Sequence, residues 1–396
     1  MLGNQFTLLA LPIAAAVTLH ATALEMGVLG ALRFAPALLL GIPVGVWVDR
    51  TRRKPLLVWS QWLSALALAT IPAAALVHVL SLGQLFVVAF VAGVAAAIQG
   101  IALPSFVPTI AGRDRLVEAN TRIQASLTVA NLLGPGIAGA AVQLLTAPIA
   151  IAFDAVSFVV GAVTSAWTEV EEVVQTTGRA RHLTDAVEGQ RWLWRQPLVR
   201  AITLTILINN GGSYITSAVV VLYFVTQVGI TPAQLGLVFA VSGVSSLIGA
   251  QLAGPLVRRG WLGPVMAGGA GLVVLGQTGW VIAAHAPRSL TLPILLAFSA
   301  LVGCALMVYN VNQNAIRQAV TPDRLLGRVQ SGVLVLTAVA QVSGSLIGGA
   351  IGQSLGLPAA LAAGAAVCVT SALPSILSSL RTLRQVPTLT SVTGNA

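Results

Sequence analysis

The chain has 396 residues and a formal net charge of +10; 56% of its residues are hydrophobic and only 8% are charged. A soluble domain normally carries about 25% charged residues, so this composition excludes a soluble globular protein and indicates a chain surrounded by lipid. The basic residues stand in short clusters between apolar runs, a pattern that membrane topology explains and that excludes a nucleic-acid-binding domain.

Hydropathy predicts an all-α membrane protein with twelve transmembrane helices, each about 20 residues long. The first is marginal, because its clean apolar stretch runs only from Phe6 to Leu19. In chain order the predicted spans are 1–20, 26–48, 55–78, 84–106, 124–146, 148–167, 201–226, 234–257, 262–285, 290–313, 330–353 and 357–380.

The basic residues assign an orientation to these spans. With a cytoplasmic N-terminus, 19 of the 21 Lys and Arg residues lie inside, among them Arg317 in the loop predicted after the tenth span. The exceptions are Arg33, within the second span, and Arg288, in an outside loop. The opposite orientation would invert this bias. We therefore predict a multi-pass protein of a bacterial-type inner membrane with both termini in the cytoplasm.

A hydrophilic segment divides the chain near its middle. Within it, Asp185 to Arg195 has the pattern of an amphipathic helix, whose Trp192 and Trp194 are expected at the headgroup level of the membrane. The predicted organisation is an N-terminal six-helix half at 1–167, a cytoplasmic linker at 168–200, a C-terminal six-helix half at 201–380 and a cytoplasmic tail at 381–396.

The two halves are related by an internal repeat. A shift of 209 residues aligns them without a gap, and both halves start on the same side of the membrane, so the repeat is parallel. Under this shift the first helix lacks the opening turns of the seventh; either Met1 is not the true start or the helix is truly short. The matches include Gly3 with Gly212, Thr7 with Thr216, Gly27 with Gly236, Gly45 with Gly254, Arg50 with Arg259, Asp114–Leu116 with Asp323–Leu325, and Gly139 with Gly348.

The segment from Gly41 to Lys54 resembles the cytoplasmic signature between the second and third helices of the major facilitator superfamily. The resemblance covers the whole chain and is strongest to the branch of macrolide and siderophore exporters. It implies alternating access, with export driven by an ion gradient, usually of protons, and no other cofactor. The further matching pieces are Gly3–Thr7, Ala10–Pro12, Asp114–Leu116, Ala119–Asn120, Gly134–Gly136, Phe153–Phe158, Glu188–Gly189 and Arg195–Leu198.

The resemblance implies that Gly41, Gly45, Asp49, Arg50 and Arg53 form a gating latch. Gly41 and Gly45 share one helix face, where a neighbouring helix can approach closely. Asp49 interrupts a basic run that orientation alone does not require, and its carboxylate can meet arginines or a helix N-terminus. The alternative is an ordinary basic inside loop.

Asp154 is the only acidic residue well inside a predicted span. A carboxylate in the membrane is costly, and it indicates a charged partner or a protonation site. Arg33 lies at a similar depth in the second span, so the two residues are coupling candidates. The alternative is a structural ion pair or a residue that faces water. Because Asp154 aligns with Ala363, its role belongs to one half only.

Polar residues in the fourth, seventh and tenth spans are candidates for a substrate cavity, since the resemblance places such helices around the substrate path. The alternative is hydrogen bonding between helices. Glycines in the fifth and eleventh spans predict close helix packing. The cavity candidates are Gln99, Asn209, Asn210, Tyr214, Tyr309, Asn310 and Asn314, and the packing candidates are Gly134, Pro135, Gly136, Gly139, Gly344 and Gly348.

The sequence contains no nucleophile elbow, phosphate loop or metal-ligand spacing, so we expect neither an enzyme nor a metal site. We expect a monomer in the lipid bilayer that moves a small-molecule substrate and binds no nucleic acid. The first hypothesis is an exporter of drugs or amphipathic small molecules by proton antiport. The alternatives are an importer, a lipid or metabolite transporter of the same superfamily, and a membrane scaffold or sensor without transport.

Overall fold

The computed structural model describes residues 2–112, 115–168 and 182–383. Within these ranges the chain is helical, without β-strands. The helices are α1 (Leu2–Ile13), α2 (Ala23–Arg50), α3 (Arg53–Leu76), α4 (Leu82–Ala111), α5 (Leu116–Leu145), α6 (Ala147–Trp167), α7 (His182–Arg195), α8 (Pro197–Leu222), α9 (Pro232–Arg258), α10 (Leu262–His285), α11 (Arg288–Val320), α12 (Asp323–Leu355), α13 (Leu357–Thr370) and α14 (Ala372–Leu377).

Eleven helices in the described part of the chain are long and apolar enough to cross a membrane, and Leu2–Thr18 adds a shorter apolar helix. Large apolar side chains lie on the outer surface, such as Leu144 at 82% and Trp167 at 79% exposure. A soluble monomer rarely exposes wide apolar surfaces, whereas lipid solvates them. The predicted all-α membrane fold is confirmed.

Three helices extend at least seven residues beyond the predicted spans. One of them, α5, begins at Leu116, whereas its span was expected to begin at 124. α11 continues to Val320 and α12 begins at Asp323, whereas the spans were expected to end at 313 and to begin at 330. A helix of 33 residues, the length of α11, is about 50 Å long and exceeds the roughly 30 Å apolar core of a bilayer. Hydropathy misses the extensions because they are polar. Arg317 therefore lies on a helix, and its assignment to a loop was wrong.

The chain packs as two compact units. The first contains Met1–Gly178 with Val221–Ala240, and the second contains Arg179–Val220 with Val241–Ala396. The first unit thus takes up the end of α8 and the start of α9. The predicted division at a linker stays a prediction, and residues 384–396 of the predicted tail lie outside the described residues.

The internal repeat extends to local structure. Thr22 and Glu25 exchange hydrogen bonds in a capping box before α2, and Thr231 and Gln234 make the same two bonds before α9. These pairs are separated by the 209-residue offset. The π-helical turns Ala14–Thr18 and Tyr223–Val228, which end the preceding helices, begin at positions with the same offset. The offset therefore relates helix ends as well as residue types.

The linker helix α7 packs on α12 in the second unit. Leu193 is fully buried in the core of that unit, and Trp192 packs against the same core, while Trp194 is 39% exposed. Glu188 pairs with Arg324 at 3.6 Å and also with Arg328, both on α12. Trp192 therefore packs partly on protein, and the expected position of the two tryptophans at the lipid headgroups stays a prediction.

Candidate functional site

A buried carboxylate lies where α1 crosses α6 in the first unit. Asp154 is 1% exposed and accepts hydrogen bonds from Thr7 Oγ1 at 2.5 Å and from Ser157 Oγ at 3.2 Å. Gly3, one turn before Thr7, leaves no space for a side chain, because a Cβ there would lie 2.8 Å from the Ser157 Cβ. The small residue on α1 thus allows the close approach that brings the Thr7 hydroxyl onto the carboxylate.

Arg33, the other coupling candidate, lies on α2 in the same unit as Asp154. Its guanidinium carbon lies 5.8 Å from the centroid of the Phe34 ring on the same helix, and its backbone packs against Gly93 of α4. The structure therefore brings the two coupling candidates into one unit. Their role in coupling stays a prediction.

The second unit contains the equivalent crossing without the acid. Gly212 and Thr216 on α8, which the repeat pairs with the α1 residues above, pack against Gly364 of α13. Ala363 stands at the position equivalent to Asp154, and the Thr216 hydroxyl is buried without a hydrogen-bond partner in the described chain. Helices of this protein therefore cross in this way without a carboxylate, so packing alone does not require Asp154.

We expect Thr7→Val to destabilise the protein and Thr216→Val to leave its stability unchanged or slightly higher. The first change removes a hydrogen bond from a buried carboxylate, at a cost of about 1–3 kcal/mol. The second removes a buried hydroxyl that has no partner in the described residues. Thermal unfolding of the purified variants in detergent measures both. Equal effects of the two substitutions would contradict this description of the carboxylate.

The predicted gating segment lies at the end of α2 and the start of α3. A Cβ added at Gly41 would meet no described atom within 4 Å, so Gly41 is not at a close helix crossing in this structure. The backbone of Gly45, Asp49 and Arg50 continues α2, but the surroundings of these three residues lie outside the described part of the structure. Arg53 is the first residue of α3. The latch stays a prediction.

The cavity candidates on α8 lie beside α12 and α13 in the second unit. Asn210 Oδ1 accepts a hydrogen bond from Gln341 Nε2 at 3.4 Å, and the Tyr214 Cβ packs against Gly344. The backbone carbonyl of Asn209 faces the Cys368 thiol, with 3.7 Å between oxygen and sulfur. These contacts join helices, as the alternative interpretation expected, and they leave the cavity role untested.

The remaining four cavity candidates lie on two helices, with Gln99 on α4 and Tyr309, Asn310 and Asn314 on α11. Gln99 lies on α4 in the first unit, where its buried Nε2 has no hydrogen-bond partner among the described residues. Tyr309 lies in the core of the second unit, with its hydroxyl near the hydrogen-bonded pair Thr205 and Ser375. Asn310 is partly buried on the same helix and accepts a bond from Gln313 Nε2 at 3.2 Å. The role of these residues in a cavity stays a prediction.

The packing candidates lie at helix crossings. In the first unit, Pro135 and its neighbouring glycines on α5 face α1 and the start of α9; in the second unit, the glycines of α12 face α8. The Pro135 carbonyl oxygen packs on Gly236. A Cβ built on each glycine would lie 2.7 Å (Gly134) from the Gln5 Cβ, 3.6 Å (Gly136) from the Ala240 Cβ, 2.9 Å (Gly139) from the Gly236 Cα, 3.1 Å (Gly344) from the Tyr214 Cβ and 2.8 Å (Gly348) from the Ile215 Cα.

Sequence reasoning missed four residues that the structure places in polar sites. Thr7 and Ser157 hold the Asp154 carboxylate, and they were noted only as parts of motifs. Gln313 and Arg317 are buried at 6% exposure each; neither was proposed for a site, although their spacing from Asn310 on one helix was a usable signal. Among the residues that the structure describes, no group of His, Cys, Asp and Glu could hold a metal ion.

Comparison with known families decides the identity of the fold. The family model described as Major Facilitator Superfamily matches residues 1–286 and again residues 202–394. The chain belongs to the major facilitator superfamily. As a member of this superfamily it is a multi-pass membrane transporter and not an enzyme.

Individual members of the superfamily are similar over most of the chain. The multidrug efflux pump Tap of Mycolicibacterium fortuitum is 25% identical over 367 residues, which is 90% of this chain and 87% of the pump. The uncharacterized transporter YfiS of Bacillus subtilis is 24% identical over 370 residues, covering 90% and 85% of the two chains. A bacterial homologue of the iron transporter ferroportin, solved in an inward-facing state, superimposes with a TM-score of 0.74 at 18% identity and covers 95% of each chain. This last likeness shows the shared fold alone.

Proposed function

We propose that the protein is a secondary active exporter of drugs or other amphipathic small molecules, driven by proton antiport across a bacterial-type inner membrane. It works by alternating access, as a monomer, with both termini in the cytoplasm and no cofactor besides the ion gradient. The observation that carries the proposal is Asp154, a buried carboxylate in a membrane helix that the equivalent crossing of the other unit lacks.

A carboxylate buried among hydroxyls suits proton coupling. Thr7 and Ser157 each donate a hydrogen bond to Asp154, and both hydroxyls can rotate and accept a bond instead once the acid is protonated. The site can therefore satisfy either protonation state without rearranging helices. Ionisable groups in membrane helices commonly mark proton and substrate pathways.

Export of drugs is supported by the similarity to the Tap pump, which spans most of both chains. The second candidate is an importer or a lipid or metabolite transporter of the same superfamily, because polar side chains such as Asn210 and Gln341 could also bind a polar solute. A scaffold or sensor without transport is less well supported. Such a protein needs only helix packing, and the equivalent crossing in the second unit packs without an acid.

Drug susceptibility separates these possibilities at low cost. We expect cells that carry the gene to tolerate higher concentrations of amphipathic dyes and antibiotics than matched cells without it. We also expect them to accumulate less ethidium, and this difference should vanish when a protonophore collapses the proton gradient. Cells carrying Asp154→Asn, checked for equal amounts of membrane-inserted protein, are the control. Unchanged susceptibility and unchanged dye accumulation would leave export without support.

A further inference from the structure

A polar stripe runs along the second half of α11 in the second unit. It consists of Asn310, Gln313, Asn314 and Arg317, spaced so that all four lie on one helix face over two turns. Gln313 and Arg317 are each 6% exposed, while Asn310 and Asn314 are partly buried. The exposed face of the helix lies elsewhere, at Val311, which is 40% exposed. The stripe therefore faces the interior of the protein, whereas Val311 lies on its surface.

The side chains of the stripe bond to one another and not to a neighbouring helix in the described chain. Within the described chain its side-chain bonds stay on α11: Gln313 Nε2 donates to Asn310 Oδ1 at 3.2 Å, and Arg317 Nη2 donates to Asn314 Oδ1 at 2.6 Å. Some other polar side chains bond across helices, whereas Ser60 and Asn312 bond to carbonyls of their own helices. The pairs that bond across helices are Thr7 with Asp154, Gln5 with Asn131, Gln61 with Ser165, Thr205 with Ser375, and Gln341 with Asn210. The stripe is therefore not part of the hydrogen bonding that holds helices together.

Arg317 is a buried cation that forms no ion pair with an acid of the described residues. No carboxylate among the described residues forms an ion pair with it, and its one side-chain hydrogen bond goes to a neutral amide. A buried charge normally requires an opposite charge nearby. Beside it, the Gln313 Oε1 is buried without any hydrogen-bond partner in the same part of the structure. Both groups therefore lack partners that a bound molecule could supply.

We propose that this stripe binds the acidic group of an amphipathic small molecule, a carboxylate in the first instance. Arg317 has a planar set of five N–H donors that matches a carboxylate with two parallel hydrogen bonds, and only one contact of this set is used by Asn314. Gln313 Oε1 accepts a hydrogen bond from an N–H or O–H group of the same molecule. The inference rests on the proposed export function and adds to it a preference for substrates that carry a free acid.

The test compares two probes that differ only in the acid. Rhodamine 110 carries a free carboxylate, and rhodamine 123 is its methyl ester. Their binding to the purified full-length protein is measured by fluorescence polarisation. We expect the wild type to bind the acid about 10- to 100-fold more tightly than the ester, as a charge-assisted contact to a buried group would give. Equal affinities for acid and ester, or no binding of the acid, would overturn the proposal.

Variants of α11 assign the preference to one side chain. Arg317→Gln should lose the preference for the acid while binding the ester as before, which also shows that the variant is folded. Arg317→Lys should retain part of the preference for the acid, because the charge remains but the planar set of donors is lost. The matched control is Arg288→Gln, which removes the exposed arginine at the other end of the same helix. A preference that persists in Arg317→Gln would refute the site.

Two further experiments distinguish a substrate site from a lipid-headgroup site and test export separately. Binding is repeated in nanodiscs of phosphatidylcholine with and without phosphatidylglycerol; suppression of acid binding by the anionic lipid would assign Arg317 to a headgroup and overturn the substrate site. Gradient-driven flux of rhodamine 123 reports on export itself. Flux of the ester without any acid preference would remove this site and leave export intact. Acid binding that depends on Arg317, without flux, would support the site and contradict export.

Discussion

Asp154→Asn is expected to abolish uphill transport while leaving downhill exchange of substrate across the membrane intact. The asparagine keeps the size of the side chain, and its Oδ1 can still accept the hydrogen bonds that Thr7 and Ser157 donate in the wild type. It cannot bind and release a proton. For one-to-one exchange, each pH unit of gradient supplies about 1.4 kcal/mol, or a tenfold concentration ratio. In the variant, the substrate concentrations on the two sides of the membrane should therefore become equal.

The measurement compares uphill accumulation with exchange in the same proteoliposomes, so a folding defect, which lowers both, is distinguished from a coupling defect, which lowers only the first. The matched control is Glu118→Gln, because Glu118 is an exposed acid on α5 paired with Arg122. This control should retain full accumulation. If Asp154→Asn accumulates substrate like the wild type, the carboxylate plays no part in coupling.

Gly348→Ala is expected to destabilise the second unit strongly. A Cβ at Gly348 would lie 2.8 Å from the Cα and 2.9 Å from the carbonyl carbon of Ile215. These are backbone atoms of α8, so relief requires two helices to move apart and cannot come from a side-chain rotation. Overpacking of this kind costs about 1–3 kcal/mol. The temperature of unfolding in detergent, together with the yield of membrane-inserted protein, measures the effect.

The same helix offers the control for this substitution. A Cβ at Gly327 on α12 would meet no atom of the described residues within 4 Å, so Gly327→Ala should be neutral or stabilise the helix by up to about 1 kcal/mol. Both substitutions change the helix propensity of α12 in the same way, so the difference between their unfolding temperatures reports on the helix crossing at Gly348. Similar unfolding temperatures for the two variants would show that α8 and α12 are not in close contact at Gly348.

The number and order of the long helices could be predicted from the sequence, because in lipid each spanning segment must be apolar and must satisfy its own backbone hydrogen bonds. Helix ends were less predictable. The polar ends of α11 and α12 continue the helix outside the apolar runs, so hydropathy assigned Arg317 to a loop. Its burial depends on side chains packed around it, which no local pattern records.

The candidate site was predictable in part. Asp154 stood out as a single acid in an apolar run, and the repeat showed that Ala363 replaces it in the other half. Its partner Thr7 lies 147 positions away in the chain, and one sequence carries no signal for pairing at that distance. The packing of Trp192 against the core of the second unit was not predicted for a related reason: an amphipathic face fits a membrane surface and a helix such as α12 equally well.

The central claim is that a proton gradient drives this transporter uphill. The most direct measurement is uptake of rhodamine 123 into proteoliposomes that contain the purified protein and are acidic inside. The dye should accumulate above its outside concentration, and the accumulation should collapse when a protonophore is added. Uptake that is the same with and without the gradient, or no greater than in liposomes lacking the protein, would contradict the claim.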